Sequence, residues 1–243
     1  MKAVGRILGA ALGLCLVAAS ALVPTPAVAA TALPASVTSC AGVWVVVDRG
    51  NGEATVRCAT SYSNGNKALA SAGLKLEAKN GFICRIASFP AACDQTGAAG
   101  YWSYWHAAPA AGGSWTTWTY SAQGASSYRP KKGQAEGWRF QPLTGGVAPS
   151  RVPPAGFTAA PSPKLTGKAK VGRTLSVTTG TWVPSPTLTV KWYRSGKVVR
   201  GANGLTYKLT RKDKGKRVTV KVTASGAGLQ TVSRSARTAK VKK

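Results

Sequence analysis

Cys40, Cys58, Cys84 and Cys93 constrain this chain more than any other feature, because an even set of cysteines in one half of an exported chain closes a small, loop-rich module with covalent staples. The case for export lies at the front of the chain. Residues 1–30 read MKAVGRILGAALGLCLVAASALVPTPAVAA, with Lys2 and Arg6, an apolar run from Ile7 to Val23, then Pro24, Pro26 and the small residues Ala27, Val28 and Ala29. This is the layout of a secretory signal peptide, whose removal takes Cys15 with it and starts the mature chain at Ala30 or Thr31. A lipoprotein site at Cys15 would need a small residue where Leu14 stands. No later segment approaches the ~20 apolar residues that span a bilayer. The expected location is secreted and extracellular, with any retention at the cell wall non-covalent.

In an oxidising compartment the four remaining cysteines favour two disulfides over metal or thiol chemistry. Three pairings are open to four cysteines, and spacing favours one. CAGVWVVVDRGNGEATVRC reads as a β-hairpin about Gly50-Asn51-Gly52, with Cys40 and Cys58 at its open ends. Cys84 and Cys93 would then close a short loop through Pro90.

Charge divides the chain. Of 33 lysines and arginines, twenty-one lie in residues 151–243, and only one of the six acids does, so this segment holds twenty of the formal +27. Between the halves runs QPLTGGVAPSRVPPAGFTAAPSP, rich in Pro, Gly and Ala and without periodicity, which reads as an extended linker. The expected organisation is a signal peptide over 1–30, a module over 31–142, a linker over 143–162 and a second module over 163–243.

The second module shows period-two patterning in short pieces, RTLSVTTG, LTVKWYR, LTYKLT, KRVTVKVTAS and TVSRSARTAKV, with no helical stretch between them. Strands at this spacing imply an all-β sandwich. The run from Gly167 to Leu175, G-T-W at Gly180, KWYRSGKVVRGA from Lys191, TYKLT from Thr206 and DKGKRVTVKV from Asp213 together resemble the bacterial immunoglobulin-like repeat of secreted actinobacterial proteins. Trp192 occupies the place of the core tryptophan on the third strand, and the inter-sheet cysteines of antibody domains are missing. Such repeats space, display or bind weakly, and fold alone does not fix function. Lysines fall largely on the exposed alternates, with Lys216, Thr219 and Lys221 opposing Val218, Val220 and Val222 only approximately. So strong a positive field expects anionic cell-wall polymers as partners. Nucleic acid is the least favoured polyanion, since no aromatic-interleaved groove is evident.

The first module reads as a hairpin, a helix over NGNKALASAGLKL stopped by Gly73, and then further strands including GFICRIASFP, YWSYWHA, SWTTWTYS and AEGWRF. This ββαββ order predicts a β-grasp-like α+β module. ALASAG from Ala68, GFICRI from Gly81, YWSYW from Tyr101, GASSYRPKKG from Gly124 and EGWRF from Glu136 resemble, in that order, the transcobalamin C-terminal-like domain. In transcobalamins this domain closes over a corrinoid held on a separate α-helical barrel. The resemblance implies a cobalamin-like ligand or docking onto a membrane uptake partner, and no catalysis. Two departures stand out: the helical barrel is missing, and Gly137 is inserted between Glu136 and Trp138, where the family runs Glu directly into Trp.

The residues themselves point away from an enzyme. His106 is the lone histidine, which excludes multi-histidine metal sites. The acids Asp48, Glu53, Glu77, Asp94 and Glu136 are scattered, with Asp48 and Glu53 read as solvated at the hairpin tip. Neither a G-x-S-x-G elbow nor a phosphate-binding glycine loop occurs. No metal or cofactor is expected. The aromatic residues are the feature left over. Strand alternation sets Tyr101, Ser103 and Trp105 on one face and Trp102, Tyr104 and His106 on the other, and sets Trp115 opposite Trp118 and Tyr120. One face covers the helix, and the other has no second layer from this module. Tyr101, Trp102, Tyr104, Trp105, Trp115, Trp118 and Tyr120 are therefore the expected ligand or partner surface. The expected function is a secreted, non-enzymatic binding protein; the competing class is a structural or adhesive wall protein with no small ligand.

Overall fold

The computed structural model describes residues 33, 35–93 and 99–243; the signal segment and Asp94 lie outside the described residues. The described chain is mostly β-sheet with one short helix. Among the described residues no helix is long and apolar enough to cross a membrane, and both disulfides form, Cys40 to Cys58 and Cys84 to Cys93.

β1 (Val43–Asp48) is buried at every position, which its sequence VWVVVD anticipates: a strand with neighbours on both edges and layers on both faces has no polar alternate. β2 (Ala54–Ala59) returns antiparallel to it, and the register Trp44↔Cys58 brings Cys58 within 5.2 Å (Cα–Cα) of Cys40. α1 (Gly65–Ser71) starts at Asn64, whose side chain accepts from Lys67 N at 2.9 Å, and stops at Gly73 with φ 76°. Its buried face presents Ala68 and Leu69.

β3 (Leu76–Lys79) and β4 (Phe82–Ile86) form a separate hairpin. Its two-residue turn, Asn80-Gly81, has φ of 50° and 82°, the left-handed pair that such a turn requires. β5 (Tyr101–Ala107), β6 (Thr119–Tyr120) and β7 (Ala135–Gln141) complete a five-stranded sheet of order β2-β1-β7-β5-β6. Its centre is the parallel pair β1 and β7, the only parallel strand pair among the described residues. One sheet face packs on α1 through Val43, Val45, Val47, Leu69, Trp102, Tyr104 and Trp138.

The second half builds two antiparallel sheets around one core. β8 (Lys164–Thr166), β9 (Thr174–Thr178) and β12 (Thr206–Lys208) form one, in the order β12-β9-β8. β10 (Thr187–Arg194), β11 (Lys197–Val198), β13 (Val218–Ser225) and β14 (Val232–Arg237) form the other, in the order β11-β10-β13-β14. Val218, Val220 and Val222 alternate inward as their spacing predicts, and Trp192 stacks on Tyr207 between the sheets at 5.3 Å. Trp192 is fully buried, with its indole N–H donating to Gly204 O at 2.8 Å.

Candidate functional site

A cleft of about 300 Å3 opens beside the first half of β5. β6 pairs only with Trp105 and His106, so the sheet leaves room there. Trp102, Tyr104 and Trp138 line it from β5 and β7, Asn66 from α1, and Phe82 from the β3–β4 hairpin; Tyr120 and the 121–126 loop form the far wall. Phe82 and Tyr120 are 78% and 51% exposed, an aromatic side chain on each side of the mouth.

Three lining residues carry a buried polar atom without a protein partner: Trp102 Nε1, Trp138 Nε1 and Asn66 Oδ1. Trp102 is 7% exposed and Trp138 0%. All three atoms are sealed from solvent behind the cleft lining, and each costs about 1–3 kcal/mol as an unpaired buried group. No lining residue is charged.

Behind the cleft lies a polar cluster. Tyr104 donates its hydroxyl to Glu136 Oε2, and Glu136 Oε1 meets His106 Nδ1 at 3.2 Å. His106 stacks on Tyr128 with ring centroids 3.6 Å apart. Glu136 is fully buried, and these contacts satisfy it. Burial, reinforced by the Glu136 charge and hydrogen bond, pushes the Tyr104 phenol far above its ordinary range, so it stays a donor. The cluster fixes the ring of Tyr104, which stacks on Trp138 at 4.9 Å and 30°.

The structure sorts the aromatic residues expected at the surface. Trp102 and Tyr104 face the helix-side core and also line the cleft. Tyr101 is half-buried, lines the cleft as well and donates to Gly145 O at 3.2 Å. Trp105 is buried, its N–H given to Ser103 Oγ at 2.9 Å and its ring set edge-on to Tyr120. Trp115 and Trp118 join one cluster with Trp44, Val46, Val56, Ala107 and Ala135, and so share a face. Their expected opposition fails because residues 115–118 are not a strand, and alternation holds only where the backbone is extended and paired.

The second sheet face is covered as well, against expectation. The segment read as linker runs over it: Trp118 Nε1 donates to Arg151 O at 3.2 Å, and Gly156 N donates to Gly113 O at 2.7 Å. It then joins the second half, with Ala155 N donating to Gly228 O at 2.7 Å and Gln230 N to Ala155 O at 2.9 Å. Gly137 has its reason here. A Cβ at 137 would lie 2.8 Å from Pro149 Cγ and 2.9 Å from the Trp118 ring, closer than packed carbons sit. Gly137→Val is expected to cost about 1–3 kcal/mol in thermal or denaturant unfolding through overpacking, and to raise access of a neutral quencher to tryptophan as the cover lifts. A variant as stable as the parent would show that this cover gives way freely.

Asp48, expected to be solvated, is 1% exposed. Arg139 Nη1 donates to its Oδ2 at 2.5 Å, Ser150 N to the same oxygen at 2.7 Å, and Gly50 N to Oδ1 at 2.8 Å. One carboxylate thus ties β1, β7, the hairpin turn and the covering segment together. Burial raises its pKa, but the Ser150 and Gly50 hydrogen bonds and the Arg139 charge outweigh this and leave it below the ordinary value. The residue sits where the hydrophobic strand meets the turn, and only its long-range partners, 91 and 102 residues away, reveal it.

In the second half the single acid, Asp213, is fully buried and bonded to Arg194, Tyr207 and Thr210. Among the described residues, the one ion pair within this half is that of Arg194 with Asp213. Lys191 and Lys221, both exposed, stand directly opposite each other across β10 and β13. No protein-family model, curated protein or solved structure matches the chain.

Proposed function

We propose that this is an exported, non-enzymatic binding protein whose first module takes a small molecule in the aromatic cleft while its second holds it near anionic cell-wall polymers. The observation that carries this reading is an uncharged cleft lined by the rings of Tyr101, Trp102, Tyr104 and Trp138, with Phe82 and Tyr120 exposed beside it. A helix laid on a mixed sheet with β1 and β7 parallel at its centre supports the β-grasp-like, transcobalamin C-terminal-like assignment. Two antiparallel sheets closed over Trp192 support the immunoglobulin-like one. At about 300 Å3 the cleft lies at the small end for ligand sites. It takes one ring-sized group, so a corrinoid presents only an edge to it and needs an uptake partner for the rest. The test is a titration of the full chain, followed by tryptophan fluorescence, with cyanocobalamin and a panel of small neutral compounds. A saturable change with at least one compound is expected. A flat response to all of them at millimolar concentration refutes the cleft reading and favours the adhesive one.

A further inference from the structure

We infer that the anionic wall polymer is a phosphodiester chain seated on the outer face of the sheet β11-β10-β13-β14, a step that rests on the second module holding the wall. Register fixes which side chains share that face. Val190, Trp192, Val218, Val220 and Val222 pack into the core, so their alternates Lys191, Tyr193, Thr219 and Lys221 point outward. β14 adds Ser235 opposite Lys221 and Arg237 opposite Thr219. A hollow of about 260 Å3 lies among Tyr193, Gly196, Thr219, Lys221 and Ser235.

Two observations separate this face from ordinary solvated surface. The first is a repulsion kept without relief. Lys191 stands directly opposite Lys221, a placement that destabilises a ladder, whereas the next row of the same face pairs Thr189 with Thr223. Among the described residues, Lys191, Lys221 and Arg237, which lies on the diagonal from Lys221, have no side-chain hydrogen bond or ion pair. An anion between them turns the repulsion into attraction. The second is contrast. The outer face of β12-β9-β8 is just as rich in hydroxyls, but its lysines lie apart, Lys164 opposite Thr178 and Lys208 opposite Thr174. Of the two sheets, only the four-stranded one gathers its cations.

Donor type selects the anion. Around the hollow stand one ammonium group and the hydroxyls of Tyr193, Thr219 and Ser235, carried on three adjacent strands. Such a set reaches a bound group from several directions. A tetrahedral phosphodiester accepts from all of them, whereas a planar carboxylate is matched best by the fork of an arginine. Arg237, about 7–8 Å from Lys221 by its diagonal position, is placed for the next phosphate along the chain.

The experiment compares two double variants of the full chain that lose equal charge, Lys191→Thr with Lys221→Thr and Lys164→Thr with Lys208→Thr. Each is titrated with poly(glycerol phosphate), poly-glutamate and phosphatidylglycerol vesicles at about 0.1 M salt. The parent is expected to bind poly(glycerol phosphate) tightest. The first pair should weaken that binding roughly tenfold and the second less than about twofold. Tyr193→Phe, which changes no charge, should weaken it roughly threefold. The first pair should melt no earlier than the parent, because it removes a repulsion from an exposed face. Equal losses from the two pairs overturn the site and leave a diffuse electrostatic hold. Tighter binding of the parent to poly-glutamate or to the vesicles overturns the phosphodiester chain as the occupant. A parent that binds none of the three overturns the wall-holding reading itself.

Discussion

Asp213→Ala is expected to destabilise the second half of the protein by about 3–5 kcal/mol, the range for breaking a buried ion pair by removing one partner. The carboxylate accepts from Arg194 Nε at 2.5 Å, from Thr210 N at 2.7 Å and Thr210 Oγ1 at 2.8 Å, and from the Tyr207 hydroxyl at 3.1 Å. Its loss strands four donors, among them a guanidinium only 22% exposed. No disulfide staples this half to absorb the loss. Burial alone would raise the Asp213 pKa, but Arg194, Thr210 and Tyr207 together hold it below the ordinary value. A group with a depressed folded pKa contributes stability that is present above its unfolded value of about 3.9 and is lost as pH falls through the folded one. The gap between parent and variant should therefore be widest near neutrality and shrink below about pH 4. Denaturant unfolding at pH 7 and pH 3 checks both parts. A gap under about 1 kcal/mol at pH 7, or one that widens in acid, would sink the argument.

Local features of the chain were legible in advance because local chemistry dictates them. Cysteine spacing about a glycine turn, the stop at Gly73 and the alternating valines of β13 each follow from the backbone preferences of a few neighbouring residues. The misread features depend on contacts distant in sequence. VWVVVD reads as a buried strand, but that β7 is its second partner, and parallel to it, appears only in the assembled sheet. YWSYWHA divides into two faces as expected, while SWTTWTYS does not, because just Thr119 and Tyr120 of it are a strand. Asp48 looked like a turn residue, since nothing near it in sequence identifies Arg139 and Ser150 as its partners. The cleft was half legible. Tyr101, Trp102, Tyr104 and Tyr120 were singled out as aromatic, whereas Asn66, Phe82 and Trp138 come from three other elements that only the fold gathers.

Lys221→Glu is expected to move stability and binding in opposite directions, and that opposition separates a functional charge from a merely solubilising one. Lys191 and Lys221 are directly paired across an antiparallel ladder, where like charges destabilise and opposite charges contribute roughly 0.2–1 kcal/mol. A Glu at 221 removes the repulsion and should raise the melting temperature slightly. If the basic face serves only solubility, nothing else changes. If it holds anionic polymer, the same substitution puts a carboxylate in the middle of the contact surface and weakens attachment. Salt then reports how large the electrostatic contribution is. For B-DNA, neutralising six phosphates costs on the order of 10³ in affinity between 50 and 200 mM salt, and a wall polymer with sparser charge should follow the same log-linear fall with a smaller slope. Binding of the full chain to purified cell wall and to polyphosphate beads, measured across that range, should therefore drop at least tenfold for the parent, with a shallower slope for Lys221→Glu. Equal retention at both salts would refute an electrostatic hold. A stabilised variant that binds as tightly as the parent would leave the lysine pair as solvated surface, with no wall polymer between its charges.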